Sequence, residues 1–314
     1  MKIGLASYGA GPLPELMAEI ERAAGSGFSS FWLGEHGGWD PLTVFAAVGD
    51  RAPGIQLGTS VMATYPRHPL ALAAQALTTH AATGGRLTLG IGPSHRPTVE
   101  GRYGLTWQPP VEHTREVLEV VGPVLRGEDV QVHGKSITAF GGVAAPGTTA
   151  PSVLLGAHGP RMLRLAAELT DGVLTQWATP RFLDESLVPA VVSGAAVGAQ
   201  PRIVVGLLVS VTSDMDATRR RVGEEFGAAA TVPTLRAMLD RQGSGGAEDT
   251  LVAGDESAVE AEMRRFADAG ATELVMLPVG SPEDQARTVG LLADVAARSS
   301  GAWAVSAGSG RASS

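Results

Sequence analysis

Short apolar runs recur along the chain, separated by longer segments whose apolar residues follow helical spacing. The runs do not alternate apolar with polar, so they read as strands buried on both faces, the pattern of a parallel sheet covered by helices. The first is Lys2–Ser7, followed by a helix from about Pro12 to Ala24 whose early proline suits a position without a needed donor. The second is Ser30–Gly34, after which Asp40-Pro41 supplies an N-cap and first residue for the next helix. Ile55–Met62 is the third, and an Ala/Leu-rich helix starts near His68-Pro69. Arg86–Gly92 is the fourth, leading through irregular sequence to Pro110 and a helix ending near Leu125.

Val130–Phe140 predicts a small hairpin around His133-Gly134-Lys135, followed by a Gly/Ala/Thr/Pro-rich loop from Gly141 to Pro151. Strand five is Ser152–Ala157 with a helix over Pro160–Leu169, and strand six is Val173–Trp177 followed by an Ala-rich helix. Strand seven is Ile203–Val211; Ala217–Ala229, Val232–Arg241 and Glu256–Ala269 are helical, with a polar Gly-rich break at Gly243–Asp249. Glu273–Leu277 and a helix over Glu283–Arg298 close the set. Eight strand-then-helix units predict an α/β chain folded as a (β/α)8 TIM barrel, with a doubly wound sheet as the alternative. The expected organisation is one barrel domain over 1–300, with insertions near 93–110, 128–151 and 230–255 after strands four and seven, and a disordered tail over 301–314.

In Leu87-Thr88-Leu89-Gly90-Ile91-Gly92 the bulky residues share one face and Thr88, Gly90 and Gly92 the other. Small residues facing inward would leave room near the barrel top for a flat ligand, though glycine there also eases barrel curvature.

Composition narrows the functional classes. A net charge of -8 with no basic run argues against a nucleic-acid partner. Cysteine is absent, which removes thiolate catalysis, disulfides and thiolate zinc sites, and fits a reducing cytoplasm. No signal-like N-terminal segment or membrane-length apolar run occurs, so a cytoplasmic protein without membrane association is expected. The only lysines are Lys2 and Lys135, neither placed to project into a barrel, which disfavours Schiff-base chemistry. No Gly-x-Ser-x-Gly elbow is present.

Four of the 7 histidines, His36, His68, His95 and His158, follow predicted strands. In a closed parallel barrel they meet at the rim that carries the chemistry. A metallohydrolase is one reading, but strand one offers no His-x-His pair and bare strand-end histidines are weak metal evidence, so no metal ligand is assigned. His36 and Glu35, at the end of strand two, are the candidate catalytic residues, with His36 as the acid or base. The turn Gly156-Ala157-His158-Gly159-Pro160-Arg161-Met162 joins strand five to a helix N-terminus and suits a phosphate, by its amides and by Arg161. Arg67 and Arg96 join Arg161 in an expected electropositive mouth. A barrel that binds a phosphorylated ligand without turnover remains compatible with these features.

Taken together, Phe31–Asp40, Leu57–Val61 with Tyr65–Pro69, Gly84–Gly92 with Ser94-His95-Arg96-Pro97, and Gly159–Met162 resemble the bacterial luciferase-like family over most of Met1–Pro278, in particular its branch using the deazaflavin coenzyme F420. The resemblance implies an oxidoreductase, dimeric, that moves a hydride between F420 and a small organic substrate. The alternative within the same fold is an FMN-dependent monooxygenase. It implies a non-prolyl cis peptide at Ser60-Val61 behind the ring, His36 near the reactive ring with Glu35 beside it, and Trp39 as a pocket-shaping aromatic. Further cofactor contacts are implied at Thr64, Gly90, Gly92, Ser94, His95, Ala157 and His158, with Gly159, Arg161 and Met162 at the phosphate. The sequence departs from several relatives in having Glu35-His36 where they carry Asp-His, which puts the role of His36 in question more than its position.

Overall fold

The computed structural model describes residues 1–306, with side chains to 299. Eight parallel strands form the barrel: β1 (Lys2–Ser7), β2 (Ser30–Leu33), β3 (Gln56–Thr59), β4 (Leu87–Gly92), β5 (Ser152–Gly156), β6 (Gly172–Gln176), β7 (Arg202–Val211) and β8 (Glu273–Pro278). Each pairs with the next, and β8 pairs with β1 from Lys2↔Glu273 to Leu5↔Met276, which closes the ring. The expected (β/α)8 barrel forms, and the doubly wound alternative does not.

Two apolar clusters follow from this closure. The larger lies between strands and helices, where Leu16, Ile20 and Ala23 of α1 (Leu13–Gly25) meet the sheet through a spacing of one helix face. The smaller fills the barrel itself with Trp32, Leu154, Leu174, Val204 and Val275. Trp32 fits because its strand neighbour has no side chain: a Cβ on Gly58 would come within 2.3 Å of the indole.

Below Trp32 the barrel is plugged by a polar network at the N-terminal strand ends. The Glu273 carboxylate, 2% exposed, accepts from Ser30 Oγ (2.5 Å), Trp32 Nε1 (3.1 Å) and Arg202 Nη2 (3.0 Å). Arg202 Nη1 also donates to Thr88 and Ser152, each at 3.1 Å, so the buried carboxylate and its cation are both satisfied.

The helices that position the rim are α2 (Pro41–Val48), α3 (Pro69–Ala82), α4 (Pro110–Leu125) and α5 (Pro160–Leu169). Asp40 caps α2 as the sequence predicts, its carboxylate accepting from Thr43 N at 2.8 Å. The hairpin is Val130–His133 paired antiparallel with Thr138–Gly141. After β7 come helices at Met215–Ala230 and Pro233–Gln242.

Three local expectations change. The third strand does not run unbroken from Ile55 to Met62: it stops at Thr59, the Ser60–Val61 peptide is cis, and Met62–Ala63 pairs separately with the end of β4. Val252–Gly254 forms a short strand beside the end of β7, too brief to register as a pattern. The last helix, Pro282–Ser306, continues through the first part of the expected tail at 301–314, and the rest of that tail lies outside the described residues. No helix among the described residues is long and apolar enough to cross a membrane.

Candidate active site

A cavity of about 770 Å³ opens at the C-terminal ends of the strands, within the range of small-molecule and cofactor sites. Its floor is apolar, made by Val61, Gly92, Gly156 and Leu174. Val61 sits against the two glycines: a Cβ on Gly92 would lie 2.9 Å from Val61 Cγ2, and one on Gly156 would lie 3.3 Å from Cγ1. The inward small face predicted for β4 is therefore real. Its space is taken up by the Val61 side chain, which packs against both glycines.

His36 borders this floor from the end of β2. Its ring lies over the backbone of Gly34, where a Cβ would come 2.1 Å from Nε2, and meets the edge of Tyr8 at 5.3 Å between centroids. Burial holds its pKa below the ordinary histidine range, with the Glu35 carboxylate acting in the opposite direction. A neutral imidazole results, able to accept a proton or to donate a hydrogen bond near neutral pH.

Glu35 has a different environment. Its carboxylate accepts from Ala63 N (2.8 Å) and from Arg67 Nη1 (2.5 Å), while Arg67 Nη2 reaches Asp40 (2.6 Å). Both carboxylate oxygens are engaged in holding the segment after the cis peptide, so its geometry is that of a brace for the cavity wall.

The structure also corrects the electropositive mouth. Arg67 is neutralised by Glu35 and Asp40, Arg96 by Glu100 at 3.0 Å, and Arg161 by Glu112 at 2.6 Å. Glu35, Asp40 and Glu112 arrive from other elements, which sequence spacing could not reveal, whereas Glu100 stands only four residues after Arg96.

Ser60, Ser94, His95, His158, Gly159, Arg161 and Met162 line the cavity together with His36, Glu35, Val61 and Gly92. Trp39, Thr64, Gly90 and Ala157 do not. Trp39 is 44% exposed and donates to Gly11 O at 2.9 Å, which ties the loop after β1 instead of shaping the cavity. Gly90 lies beneath the floor, exchanging hydrogen bonds with Thr59. Thr64 is buried against His113, and the amide of Ala157 donates to Leu174 O. Thr64, Gly90 and Ala157 lie one position or one layer away from residues that line the cavity, a difference that strand registry decides.

The four rim histidines separate. His68 lies outside the cavity as the N-cap of α3, accepting from Leu70 N and donating Nε2–H to Thr138 O at 3.0 Å. His95 and His158 remain in the cavity wall, and His158 Nδ1 lies 3.2 Å from Thr175 Oγ1. Burial, then the proximity of His95 and Arg241, pushes the His158 pKa down to about 4, and burial lowers that of His95. Among the described residues no group of three or more His, Cys, Asp or Glu is arranged to hold a metal ion.

The sequence reading missed Tyr103, Trp107, Gln176 and Thr234 in the cavity wall, and His113 behind it. His113 was detectable in principle: it is in helical phase with Val117, Val120, Val121 and Val124 on the buried stripe of α4. Tyr103 and Trp107 sit on irregular backbone without a periodic signal, while Gln176 ends β6 and Thr234 opens the helix Pro233–Gln242, where polar residues at element ends carry no mark of the cavity.

Histidines held neutral make stability pH-dependent in a defined direction. The unfolded chain takes up protons near pH 6.5 while folded His158 resists until about 4, with His36 and His95 shifted the same way. Stability is therefore complete above pH 6.5 and declines as pH falls toward 4. Urea unfolding at steps between pH 7.5 and 4.5 is expected to show a loss on the order of 1–3 kcal/mol; a flat profile from 7 to 5 would contradict these assignments.

Comparison with known proteins places this geometry. The model of the family described as luciferase-like monooxygenase matches residues 2–298. A 5,10-methylenetetrahydromethanopterin reductase of Archaeoglobus fulgidus is 32% identical over 242 residues, covering 73% of this chain and 70% of that protein. A putative coenzyme F420-dependent oxidoreductase of Mycobacterium tuberculosis is 36% identical over 200 residues, 58% of this chain and 57% of its own length. Among solved structures, the oxygenating constituent of 3,6-diketocamphane monooxygenase from Pseudomonas putida, in complex with FMN, superposes with a TM-score of 0.71 at 17% identity over 93% of this chain and 96% of that one, a likeness of fold. The chain belongs to the luciferase-like monooxygenase family.

Proposed function

We propose that the chain is an F420-dependent oxidoreductase that transfers a hydride between the deazaflavin and a small organic substrate. The observation carrying this reading is the asymmetry of the cavity. An apolar floor has a neutral imidazole at one edge and the N-terminus of α5 at another. The kinship with a putative F420-dependent oxidoreductase at 36% identity favours the deazaflavin over FMN.

The residues present fit such a cofactor. Val61, Gly92 and Gly156 would bear the ring. At the β5–α5 turn no side chain caps the helix, so the first-turn amides of Arg161 and Met162 are free to meet a phosphate. Ser94, His95 and the Gly159 backbone lie on the same wall. Arg161 would have to leave or share its partner Glu112; that pair is exposed, and such pairs contribute little. The cofactor supplies two-electron hydride chemistry, and the protein supplies its placement.

His36 then holds or moves a proton at its imidazole, or stabilises charge developing on the substrate. Glu35 is a positioning residue through Ala63 and Arg67. A cytoplasmic homodimer with a small-molecule substrate, and without nucleic-acid or membrane partners, completes the proposal.

The test is direct titration with each cofactor. F420 fluorescence is expected to change saturably on binding, and FMN to bind weakly. Tight FMN binding with oxygen consumption and no deazaflavin affinity would overturn the reading.

A further inference from the structure

The segment that follows β4, from Pro93 to Val111, supplies a wall unlike the rest of the cavity: Pro93, Pro97, Tyr103, Trp107, Pro110 and Val111 all border the space. The charge it brings there, Arg102, is turned to the opposite lip, where Nη2 donates to Gly37 O at 3.1 Å. Trp107 is the one large flat group in this wall with a built support behind it. Its indole stacks on Tyr65 at 5.2 Å and 13°, and Tyr65 stacks in turn on His113 at 3.9 Å and 20°.

The two plates behind Trp107 are fixed by hydrogen bonds. Tyr65 Oη accepts from Gln108 N at 3.0 Å and donates to Gln108 O at 3.1 Å, which ties the ring to the residue next to Trp107. His113 bridges Thr64 Oγ1 (3.1 Å) and Ser136 Oγ (3.3 Å). Ser136 is itself held by Glu116, whose carboxylate also gathers the amides of Lys135, Ser136 and Ile137. The outermost ring of a three-ring pile is thus preorganised at the edge of a cavity. A further flat ring extends such a pile at low ordering cost.

We infer that Trp107 determines substrate specificity, acting as a stacking platform that selects planar, uncharged, conjugated acceptors, with His113 and Tyr65 as its positioning residues. The catalytic context rests on the deazaflavin reading; the binding preference does not.

Calorimetric titration of the full chain, with and without oxidised F420, separates the two. The probes are 1,4-naphthoquinone (planar, uncharged), 2-decalone (saturated, similar in size) and 2-naphthoate (planar, anionic). Naphthoquinone is expected to bind about tenfold more tightly than 2-decalone. Trp107→Leu should abolish that preference, Trp107→Phe should keep most of it, and His113→Ala should weaken it, all with F420 affinity unchanged. As a check independent of variant folding, naphthoquinone but not 2-decalone should shift the wild-type indole N–H resonance that is missing in Trp107→Phe. Retention of the preference in Trp107→Leu, an unmoved indole resonance, or tighter binding of 2-naphthoate than of naphthoquinone would overturn the inference, the last by giving selection to Arg102. Failure of F420 to bind while the preference still follows Trp107 would sink the proposed cofactor and leave the platform standing.

Discussion

Replacing His36 by asparagine should lower turnover of the F420-loaded enzyme by about 10²–10⁴-fold, the range lost when a positioned proton-transfer group is removed. Cofactor affinity and melting temperature should change little, because the imidazole contributes an edge contact to Tyr8 and no side-chain hydrogen bond is seen for it. The pH profile gives a second, independent reading. Burial keeps His36 neutral below the usual histidine range, so a base role predicts activity persisting below pH 6.5, falling only as the lowered pKa is reached. Gly34 offers a linked test: a methyl group there would occupy the space of Nε2, so Gly34→Ala should displace the ring and reproduce much of the His36→Asn loss. If His36→Asn lost cofactor binding and stability in the same proportion as turnover, the histidine would be a packing residue and the proposed chemistry would lack its proton-transfer group.

The second large effect lies at the opposite end of the barrel. Truncating Glu273 to alanine removes the carboxylate that Ser30, Trp32 and Arg202 all address, leaving a half-buried guanidinium without its counter-charge. Breaking a buried pair in this way costs about 3–5 kcal/mol, a drop in melting temperature on the order of 10 °C for a chain of this size. The double variant Glu273→Leu with Arg202→Met should recover part of the loss, since no buried charge is then left unpaired. Specific activity of the folded fraction should be preserved, because the network lies under Trp32 and outside the cavity. Chemical denaturation of the single and double variants decides: a loss below about 1 kcal/mol in the single variant would show that water replaces the carboxylate, contrary to its 2% exposure.

The two ends of the barrel differ in how readily they are read from sequence. His36 was legible because a chemically versatile residue stood at the end of an apolar strand, and a closed parallel barrel sends every strand end to one rim. Glu273 was not legible: it begins an apolar run, and nothing along the chain connects it with Ser30, Trp32 and Arg202. The same limit explains Arg67. Its position beside Pro66 and His68 suggested a free cation at the mouth, whereas Glu35 and Asp40, from the preceding strand and helix, both close on it. Charge along a sequence states what can be paired, and proximity in space states what is.

Registry accounts for the expected contact residues that do not line the cavity. Thr64, Gly90 and Ala157 neighbour residues that do line the cavity, but successive strand residues face opposite sides and successive layers lie at different depths. An offset of one position moves a side chain from the ligand surface into the packing beneath it. Trp39 failed for another reason: its indole N–H found Gly11 O on a neighbouring loop, a contact that loop conformation alone sets.

By itself the sequence determined the order of strands and helices, an α/β architecture with the barrel favoured over a doubly wound sheet, the proline and aspartate starts of the helices, and the placement of His36 and the β5–α5 turn after strands; the cis peptide at Ser60-Val61 was implied by the family resemblance. The first group follows from local periodicity and from the topologies that bury eight two-faced strands. The tertiary structure alone decided that Arg67 and Arg161 are paired by distant carboxylates, that His68 caps a helix while His95 and His158 face the cavity, and that Tyr65, Trp107 and His113 join in one stack. Those outcomes depend on distances between residues far apart in the chain, which are set only when the barrel closes.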